Sequence, residues 1–356
     1  MVTVADRDNS SALAEAVKMA ARNRTPLAIV GNGTKRFYTG EAEGKKLDVT
    51  GHVGIVSYEP TELVITARAG TKLADVEAVL SEKGQMLGFE PPHFGDAATL
   101  GGTIACGFSG PRRPYAGSAR DFVLGAKIIN GKGEILKFGG EVMKNVAGYD
   151  ISRLMVGARG TLGMLLEISL KVLPKPAKEL TLSYETPADK AIKTMNNNAG
   201  QPLPLSAACH IRNTLYVRLS GNDLGVQAAR TKLGGDLVKN GDEFWKQLRE
   251  HRHDFFQGAD ALWRLSVPPA TSALDLPGNW IIDWGGAQRW LKSAETPGDV
   301  YRVAEQAGGH ATLFRPGTGN GAKFHPLPAA LVALQHQLKQ AFDPGSIMNQ
   351  GLAGTI

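Results

Sequence analysis

Cysteine is scarce in this 356-residue chain, and that scarcity excludes several kinds of site. The two cysteines, Cys106 and Cys209, are far apart and form no C-x-x-C pair. They do not provide the sulfur ligands of a disulfide framework, a zinc finger or an iron–sulfur cluster. We therefore predict no metal site in the chain.

Long apolar runs and basic stretches are also missing. No segment approaches the ~18 apolar residues of a membrane span, and the first residues lack the pattern of a secretory signal. The formal net charge is +6, but lysine and arginine are scattered rather than gathered into a stripe with interleaved aromatic residues. We expect a cytoplasmic chain, or one held at a membrane surface through a partner, and no binding of nucleic acid.

Glycine, by contrast, is abundant, with 43 residues. Residues 91–121 read PPHFGDAATLGGTIACGFSGPRRPYAGSARD. Gly101 and Gly102 lack a Cβ atom, so backbone N–H groups can approach an oxygen-rich ligand closely. The neighbouring polar groups are the hydroxyls of Thr99, Thr103 and Ser109 and the guanidinium groups of Arg112 and Arg113. This pattern predicts a loop that binds a phosphate-bearing cofactor.

A second loop of the same kind follows a predicted strand. Residues 27–30, LAIV, form a buried-strand run that leads into residues 31–35, GNGTK. A strand followed by G-x-G is half of the Rossmann dinucleotide fingerprint. The third glycine is absent, however, and residues 35–46 lack the apolar periodicity of a crossover helix. We interpret the loop as a phosphate-binding turn outside a Rossmann fold.

Hydrophobic periodicity predicts further elements. The predicted helices run from a cap at Ser10 or Ser11 to Arg22, over 71–83 and over 223–233, and one starts at Pro328 with Leu331, Leu334, Leu338 and Ala341 facing inward. The predicted strands include a hairpin of 122–130 with 134–138, and a long strand over 164–173.

Five stretches now stand in a definite order: LAIVGNGTK, GDAATLGGTIACGFSG, NGKGEILKFGG, KNVAGYDISRLMVGARGTLG and FDPGSIMNQG. In these stretches the sequence resembles the PCMH-type FAD-binding domain of the vanillyl-alcohol oxidase flavoprotein superfamily. Within that superfamily it is most similar to the flavin subunits of bacterial glycolate oxidases (glycolate dehydrogenases). Its length is similar to that of their smaller, E-type FAD-binding subunits.

The resemblance implies an α+β fold, with a PCMH-type FAD-binding domain of two α+β subdomains and a C-terminal α+β cap domain. The FAD-binding domain would cover residues 1–176 and the cap domain residues 177–312. Residues 313–356 would return to the FAD-binding domain. All five tryptophans fall in the predicted cap domain, where we expect them to form its core.

The resemblance also implies the cofactor and its contacts. The residues that would bind FAD are Gly31, Asn32, Gly33, Thr34, Lys35, Thr99, Gly101, Gly102, Thr103, Ala105, Ser109, Gly110, Gly160, Gly163, Ile168 and Asn349. Some relatives tether FAD to a histidine in the first loop, whereas the matching position here is Thr34, so we expect noncovalent FAD. Cys106 has flanks unlike those of cysteine-linked relatives and is interpreted as a small buried residue. Gln350 replaces the proline of the family's terminal N-P-G pattern.

The sequence offers fewer candidate residues for binding or oxidising a substrate than for binding the cofactor. Relatives that oxidise 2-hydroxy acids carry an HxGDGNxH-like stretch, and the nearest text here is RPGTGNGAKFHP at 315–326, without the paired histidines. Arg315 is a candidate to pair with a substrate carboxylate, and no other catalytic residue is assigned. His251 and His253 lie in the polar run EHRHD, which predicts a solvated surface.

The resemblance therefore implies an FAD-binding subunit of a complex that oxidises glycolate, or a similar 2-hydroxy acid, to glyoxylate, with an electron-transfer or structural role. Its partners would be a larger FAD-binding catalytic subunit and an iron–sulfur subunit, in a complex at the inner membrane. One alternative is a stand-alone FAD-dependent hydroxy-acid or polyol oxidoreductase. Two others are a scaffold without redox turnover and an NADPH-dependent cell-wall enolpyruvyl reductase.

Overall fold

A computed structural model describes residues 3–140, 150–317 and 323–352 of the chain. The chain divides into two compact units. The first contains the described residues of Met1–Ser109, Gly117–Lys175 and Leu327–Ile356. The second contains Gly110–Ala116 and the described residues of Pro176–Pro326.

Both units combine helices with strands. The helices are α1 Ser10–Asn23, α2 Arg36–Thr39, α3 Leu73–Glu82, α4 Leu100–Cys106, α5 Arg113–Ala116, α6 Ala119–Phe122, α7 Ile151–Leu154, α8 Ala188–Ala199, α9 Asp223–Leu233, α10 Gly241–Arg249, α11 Pro297–Gln306 and α12 Ala329–Phe342, with 3-10 turns at Asp254–Phe256 and Trp284–Gly286. The strands are β1 Leu27–Val30, β2 Lys45–Asp48, β3 Ile55–Glu59, β4 Val64–Arg68, β5 Gln85–Met86, β6 Val123–Ile129, β7 Ile135–Gly139, β8 Met164–Lys171, β9 Leu173–Pro174, β10 Lys178–Glu185, β11 Leu205–Ile211, β12 Thr214–Gly221, β13 Asp236–Leu237, β14 Leu262–Ser266, β15 Asn279–Asp283, β16 Gln288–Lys292 and β17 His310–Arg315.

The first unit is built on an antiparallel sheet of five strands in the order β3-β4-β8-β6-β7. Strands β1 and β2 form a separate parallel pair, and β5 pairs with β9. The predicted hairpin of β6 and β7 is confirmed, with Ile129 opposite Ile135 beside the connecting turn. The loop that follows β1 is therefore carried by a short pair of strands rather than by the main sheet.

Helix α1 covers one side of the first unit's core. Its buried residues Leu13, Ala14, Val17 and Ala20 recur at helical spacing and pack in a cluster with residues of β6, β8 and the C-terminal segment. Each large aliphatic side chain buried there contributes about 1.5–3 kcal/mol. Ser10 or Ser11 was expected as the cap, but both are helical and Asn9 precedes them; the backbone N–H of Ser10 donates to the Asp8 carboxylate at 2.8 Å.

The second unit contains an antiparallel sheet of eight strands in the order β13-β10-β12-β11-β15-β16-β14-β17. Two apolar clusters pack on it, one with α8 and α9 and one with α11. The expectation that its tryptophans form core is confirmed. Trp245, Trp263, Trp284 and Trp290 are buried, and Trp280 is half-buried.

The structure differs from the predicted division at two places. The return to the first unit begins at Leu327 rather than at residue 313, because β17 pairs with β14 and stays in the second unit. Residues 110–116, the end of the predicted cofactor loop, also belong to the second unit. Within that unit the indole N–H of Trp284 donates to the Gly110 carbonyl at 3.0 Å.

Helix α12 forms where it was predicted, but its leucines do not face inward as expected. Leu331 and Leu334 are 47% and 50% exposed, and Ala341 is exposed too, while Leu338 is half-buried. The helix is attached near its end through Lys339, whose ammonium group donates to a backbone carbonyl of the first unit, rather than through an apolar stripe. No helix in the described part of the chain is long and apolar enough to cross a membrane.

A buried ion pair fixes the chain after α12. The fully buried carboxylate of Asp343 accepts hydrogen bonds from the backbone N–H groups of Ile347 and Met348 at 3.1 and 2.8 Å. Lys339 Nζ lies 2.7 Å from the same carboxylate and also donates to the Thr161 carbonyl at 2.8 Å. The pair thus holds the C-terminal segment to the chain just before β8.

Replacing Asp343 by alanine should lower the free energy of unfolding by about 3 kcal/mol or more, because it leaves a buried ammonium group without its counter-charge. A urea titration followed by far-UV circular dichroism measures the effect. Glu15→Ala is the control, since it removes an exposed carboxylate from its pair with Lys18 and should leave the midpoint unchanged. Equal midpoints for Asp343→Ala and the unchanged protein would contradict the assignment.

Candidate functional site

A cavity of about 310 Å³ lies in the first unit where three chain segments meet. They are the loop after β1, helix α4 with the residue before it, and the C-terminal segment. The predicted residues that line the cavity are Gly31, Asn32, Gly33, Thr34, Lys35, Thr99, Gly102, Ala105 and Asn349. The two loops that the sequence singled out therefore face the same space.

A smaller pocket of about 70 Å³ shares part of this lining. Among the residues common to both are Gly31, Gly102, Ala105 and Asn349. The smaller pocket adds the predicted residues Gly101, Gly160 and Gly163. Two glycines of GARGTLG, residues 157–163, therefore lie at the same space as the two loops already described.

Four predicted residues lie away from both linings, namely Thr103, Ser109, Gly110 and Ile168. The Thr103 hydroxyl is buried and donates to the Thr99 carbonyl at 2.9 Å. The Ser109 hydroxyl accepts from the backbone N–H of Ala119 at 2.9 Å. Ile168 is fully buried in β8, and Gly110 belongs to the second unit. These hydroxyls and this apolar side chain are engaged in holding the fold.

The loop after β1 presents backbone donors to the cavity. Among the described residues, no oxygen accepts a hydrogen bond from the backbone N–H groups of Gly31, Asn32, Gly33 or Thr34. Gly33 has φ of +72°, the left-handed conformation that lets successive N–H groups converge in an anion-binding nest. Backbone N–H groups require acceptors, so this loop is suited to the oxygens of an anionic ligand.

Glycine is required here because the neighbouring segments leave no space for a side chain. A Cβ atom on Gly31 would lie 2.9 Å from Thr99 Oγ1, and one on Gly101 would lie 2.7 Å from the Ala69 Cβ atom. The Thr99 hydroxyl accepts from the backbone N–H of Gly102 at 3.1 Å and so caps α4. A larger residue at position 31 would push the loop after β1 away from Thr99 and α4, and one at position 101 would push α4 away from Ala69.

Asn349 joins two walls of the cavity through its side-chain amide. Its Oδ1 accepts from the backbone N–H of Ile29 at 2.6 Å, and its Nδ2 donates to the Arg159 carbonyl at 2.7 Å. A Cβ atom on Gly160 would lie 2.6 Å from that Nδ2. The neighbouring Gln350, which replaces the family's proline, donates to the carbonyl of Ser346.

Four cations line the cavity, and the sequence interpretation assigned only Lys35. Arg36 and Lys46 are exposed and pair with carboxylates, those of Glu41 at 3.3 Å and Asp48 at 3.5 Å. Lys35 is buried, and its ammonium group donates to the His93 carbonyl at 3.2 Å. Arg159 lines both the cavity and the smaller pocket, and burial lowers the pKa of its guanidinium group. The signal for Arg159 was available in GARGTLG, where it stands between glycines; only the glycines were assigned a role.

Cys106 ends α4 and also lines the cavity. Burial raises the pKa of its thiol to about 11, although Lys35 and Arg159 oppose the shift. The thiol is therefore neutral at neutral pH and a weak nucleophile.

The two arginines of the glycine-rich loop contact residues of the second unit and not the cavity. Arg112 Nη2 donates to the Glu179 carboxylate at 2.7 Å, and the guanidinium group of Arg113 lies 4.4 Å from the ring centroid of Trp284. All of these residues belong to the second unit, and neither arginine lines the cavity. Their charges serve the second unit's own packing.

Arg315 lies half-buried at the end of β17 in the second unit. Its Nη1 donates to the Phe256 carbonyl at 3.4 Å, and burial lowers its pKa. Nearby, His251 is only 7% exposed, and its ring stacks on that of Phe256 with centroids 3.9 Å apart. The prediction of a solvated surface is wrong for His251, because aromatic rings enclose it, and burial lowers its pKa well below the ordinary value.

Parts of two sequence motifs fall outside the described residues. They are residues 144–149 of KNVAGYDISRLMVGARGTLG and residues 318–322 of RPGTGNGAKFHP. Within the described ranges, no group of three or more histidine, cysteine, aspartate or glutamate side chains could hold a metal ion.

The cavity fits a phosphate-bearing cofactor such as FAD. Its backbone donors and the cations Lys35 and Arg159 suit a pyrophosphate, and the glycines allow close approach. Apolar groups that include Ala28, Ile29 and Leu352 line the same space and suit the less polar parts of a dinucleotide.

Sequence comparisons identify an FAD-binding family and relatives named as oxidases and dehydrogenases of hydroxy acids. Residues 4–139 match the FAD binding domain family. The chain is 52% identical over 344 residues to the glycolate oxidase subunit GlcE of Escherichia coli K12, a match that covers 97% of each chain. It is 31% identical over 193 residues to the glycolate oxidase subunit GlcD of Bacillus subtilis, covering 53% of this chain and 41% of that protein. A D-lactate dehydrogenase of Anaerostipes hadrus is 31% identical over 175 residues, covering 48% of this chain and 36% of that protein.

Solved structures agree on the fold. Alkyldihydroxyacetonephosphate synthase superposes with a TM-score of 0.66 over 95% of this chain and 73% of its own, at 16% identity. The predicted α+β, PCMH-type flavoprotein fold and the prediction of FAD as cofactor are thereby confirmed. Since 52% of residues are identical across nearly the full length of both sequences, this chain belongs to the family of the glycolate oxidase subunit GlcE.

Proposed function

We propose that this chain is the FAD-binding subunit of a complex that oxidises glycolate, or a similar 2-hydroxy acid, to glyoxylate. The observation that carries the proposal is the cavity of the first unit, with its close glycine contacts and with backbone donors that bind no oxygen of the described residues. The 52% identity to a glycolate oxidase subunit supports the reaction, and the GlcD and D-lactate dehydrogenase relatives support the substrate class. The chain is thus a component of an FAD-dependent oxidoreductase.

In this proposal the protein binds and orients the cofactor. Residues 31–34 supply backbone N–H groups to the pyrophosphate, Lys35 and Arg159 balance its charge, and Gly102 leaves room for it. Asn349 keeps β1 and the Arg159 turn at a fixed separation. When bound, FAD takes up the two electrons of hydroxy-acid oxidation and passes them to other carriers.

Replacing Gly102 by leucine should weaken FAD binding at least about tenfold, because the new side chain occupies the space that the cofactor needs. Gly102 lines the cavity, and a Cβ atom there already lies 3.1 Å from Thr99 Oγ1. Titration with FAD, followed by quenching of flavin fluorescence, measures the affinity. Gly298→Leu is the matched control, since Gly298 is also helical and a Cβ atom there lies 3.8 Å from its nearest neighbour. Full FAD binding by Gly102→Leu would refute this placement.

The FAD is proposed to be noncovalent. Thr34 offers no nucleophilic nitrogen, and the thiol of Cys106 is held neutral by burial. Neither side chain of the lining is therefore prepared for attachment to a flavin.

Precipitation of the yellow protein with trichloroacetic acid should leave essentially all flavin in the supernatant. Cys106→Ala should retain the same flavin content as the unchanged protein. Flavin that remains in the pellet, and is released by the Cys106→Ala change, would demonstrate a thioether and overturn the proposal.

The substrate site is proposed to lie on a larger FAD-binding subunit, and the onward electron carriers on an iron–sulfur subunit. The sequence supports this division because it has two cysteines and lacks the paired histidines of hydroxy-acid-oxidising relatives. We further propose that the chain is cytoplasmic and is held at the inner membrane through that complex. In it, this subunit transfers electrons or supports the structure.

A second candidate is a stand-alone FAD-dependent hydroxy-acid or polyol oxidoreductase. The observation in its favour is Arg315, a half-buried guanidinium group that could pair with a substrate carboxylate. The two candidates differ in whether the isolated chain turns over.

The visible spectrum of the isolated chain, recorded anaerobically before and after addition of glycolate, separates the candidates. We expect flavin bands that glycolate does not bleach, because the substrate site is on the partner. Dithionite is the control, since it should bleach the bands by direct reduction. Bleaching by glycolate alone would assign the whole reaction to this chain, and the absence of flavin bands in FAD-loaded protein would refute both candidates.

A further inference from the structure

A second cavity, of about 490 Å³, lies within the second unit. Its wall includes the ends of β11 and β16, the start of β15 and the 3-10 turn at residues 254–256. This cavity shares no residue with the one that fits FAD. Its lining therefore requires an explanation of its own.

The sheet places a histidine and an arginine in one row across this wall. His210 of β11 pairs with Ile282 of β15, and Ile282 pairs with Arg289 of β16. Residues directly opposite each other on neighbouring strands project to the same face of a sheet. The three side chains therefore share one face, and all three line the cavity.

Arg289 carries a buried charge in this row. It is 1% exposed, and it donates from Nε to the Gly286 carbonyl at 2.7 Å and from Nη2 to the Thr271 carbonyl at 2.6 Å. No carboxylate among the described residues lies within 4.0 Å of its guanidinium group. Burial lowers its pKa to about 10, with Asp189 opposing the shift, so the group stays charged at neutral pH. A buried charge is costly unless an anion balances it.

Further cations surround the same space. Arg212 and Lys292 line the cavity with Arg289, against the single carboxylate of Asp254. Lys292 is already engaged, since Asp260 lies 3.1 Å from its Nζ. Arg212 is exposed and has φ of +56°. The lining therefore carries an excess of positive charge beside the buried guanidinium group.

Two histidines add neutral hydrogen-bonding groups. His210 Nε2 lies 2.9 Å from the Thr186 carbonyl, an acceptor, so Nε2 carries the proton and Nδ1 is left as an acceptor. His253 Nδ1 accepts from the backbone N–H of Phe255 at 3.2 Å, so its proton is on Nε2. Burial lowers the pKa of both rings, which keeps them neutral at neutral pH.

Much of the remaining wall is apolar, with Asn279 as a polar member. The indole of Trp280 lines it, together with Leu274, Ile282 and Ile211. The indole N–H of Trp280 is occupied by the Leu276 carbonyl at 3.2 Å, so the ring offers its apolar surface. Inorganic phosphate would leave this surface without contacts.

We propose that this cavity binds a small organic carboxylate whose apolar body packs against Trp280 and whose carboxylate pairs with Arg289 and Arg212. The proposal is independent of the function assigned to the first unit, because no residue is shared with the FAD cavity. It concerns binding, and it requires no chemical step.

The test uses the full chain saturated with FAD, so that an added anion does not compete at the first unit. Isothermal titration compares benzoate with benzamide, and hexanoate with hexanamide, which differ in charge but hardly in shape. At least one acid should bind about tenfold or more tightly than its amide, as expected for a charge-assisted contact with arginine. Equal binding of acids and amides, or displacement of either acid by equimolar inorganic phosphate, would overturn the proposal.

Variants locate the site. Arg212→Gln removes an exposed cation without disturbing the core and should reduce the preference for the acid severalfold. Arg289→Gln should abolish that preference, provided that its circular dichroism matches the unchanged protein; where it does not, Arg212→Gln decides. Arg230→Gln is the matched control, since Arg230 is an exposed arginine of α9 outside the cavity lining. The site would be refuted if Arg212→Gln kept the acid preference of the unchanged chain. It would also be refuted if Arg230→Gln lost as much of that preference as Arg212→Gln does.

Discussion

The side-chain amide of Asn349 is the contact on which the FAD cavity depends. It accepts from the backbone of β1 and donates to the carbonyl of Arg159, two segments separated by more than a hundred residues of chain. The amide is held in place by the turn after α12, where the buried Asp343 carboxylate binds two backbone N–H groups and Lys339. The geometry of the cavity thus rests on a polar network at the far end of the sequence. Because that network is buried, each of its members must keep its hydrogen bonds for the cavity to keep its shape.

The cavity offers mainly backbone donors, and this explains why glycine matters more than any polar side chain. A backbone N–H is a donor whatever the side chain. What the cavity requires of these positions is therefore the absence of a side chain rather than a particular polar group. Gly31 and Gly101 have no room for a Cβ atom, while the hydroxyls of Thr103 and Ser109 are engaged elsewhere. The charged groups Lys35 and Arg159 then supply the field that favours an anion. A polar side chain near a ligand loop is therefore weaker evidence for a contact than a glycine that cannot be replaced.

The same reasoning explains how much the sequence could predict. The glycine loops, the hairpin of β6 and β7 and the tryptophan core follow local patterns, and the structure places them as expected. Arg159 was missed because only the glycines of GARGTLG were assigned a role, although the arginine between them lines the cavity. His251 was predicted to be exposed because its neighbours in sequence are polar. The aromatic rings that bury it are not evident from that local sequence. Helix α12 was given a buried stripe, but Leu331 and Leu334 are about half exposed, and Lys339 ties the helix to the Thr161 carbonyl.

The second unit shows the limit of motif-based inference most clearly. Its charged cavity has no contiguous motif, since His210 and Arg289 are brought together only by the order β11-β15-β16. Antiparallel pairing fixes which residues share a face, and a shift of one residue in β16 would send Arg289 to the opposite side, as a shift in β11 would send His210. An arginine that is buried in this way must be supported by more than its two carbonyl acceptors, because those contacts solvate the group without neutralising it. The sheet register therefore carries functional information of its own, and it does so at a place where the sequence reads as ordinary core.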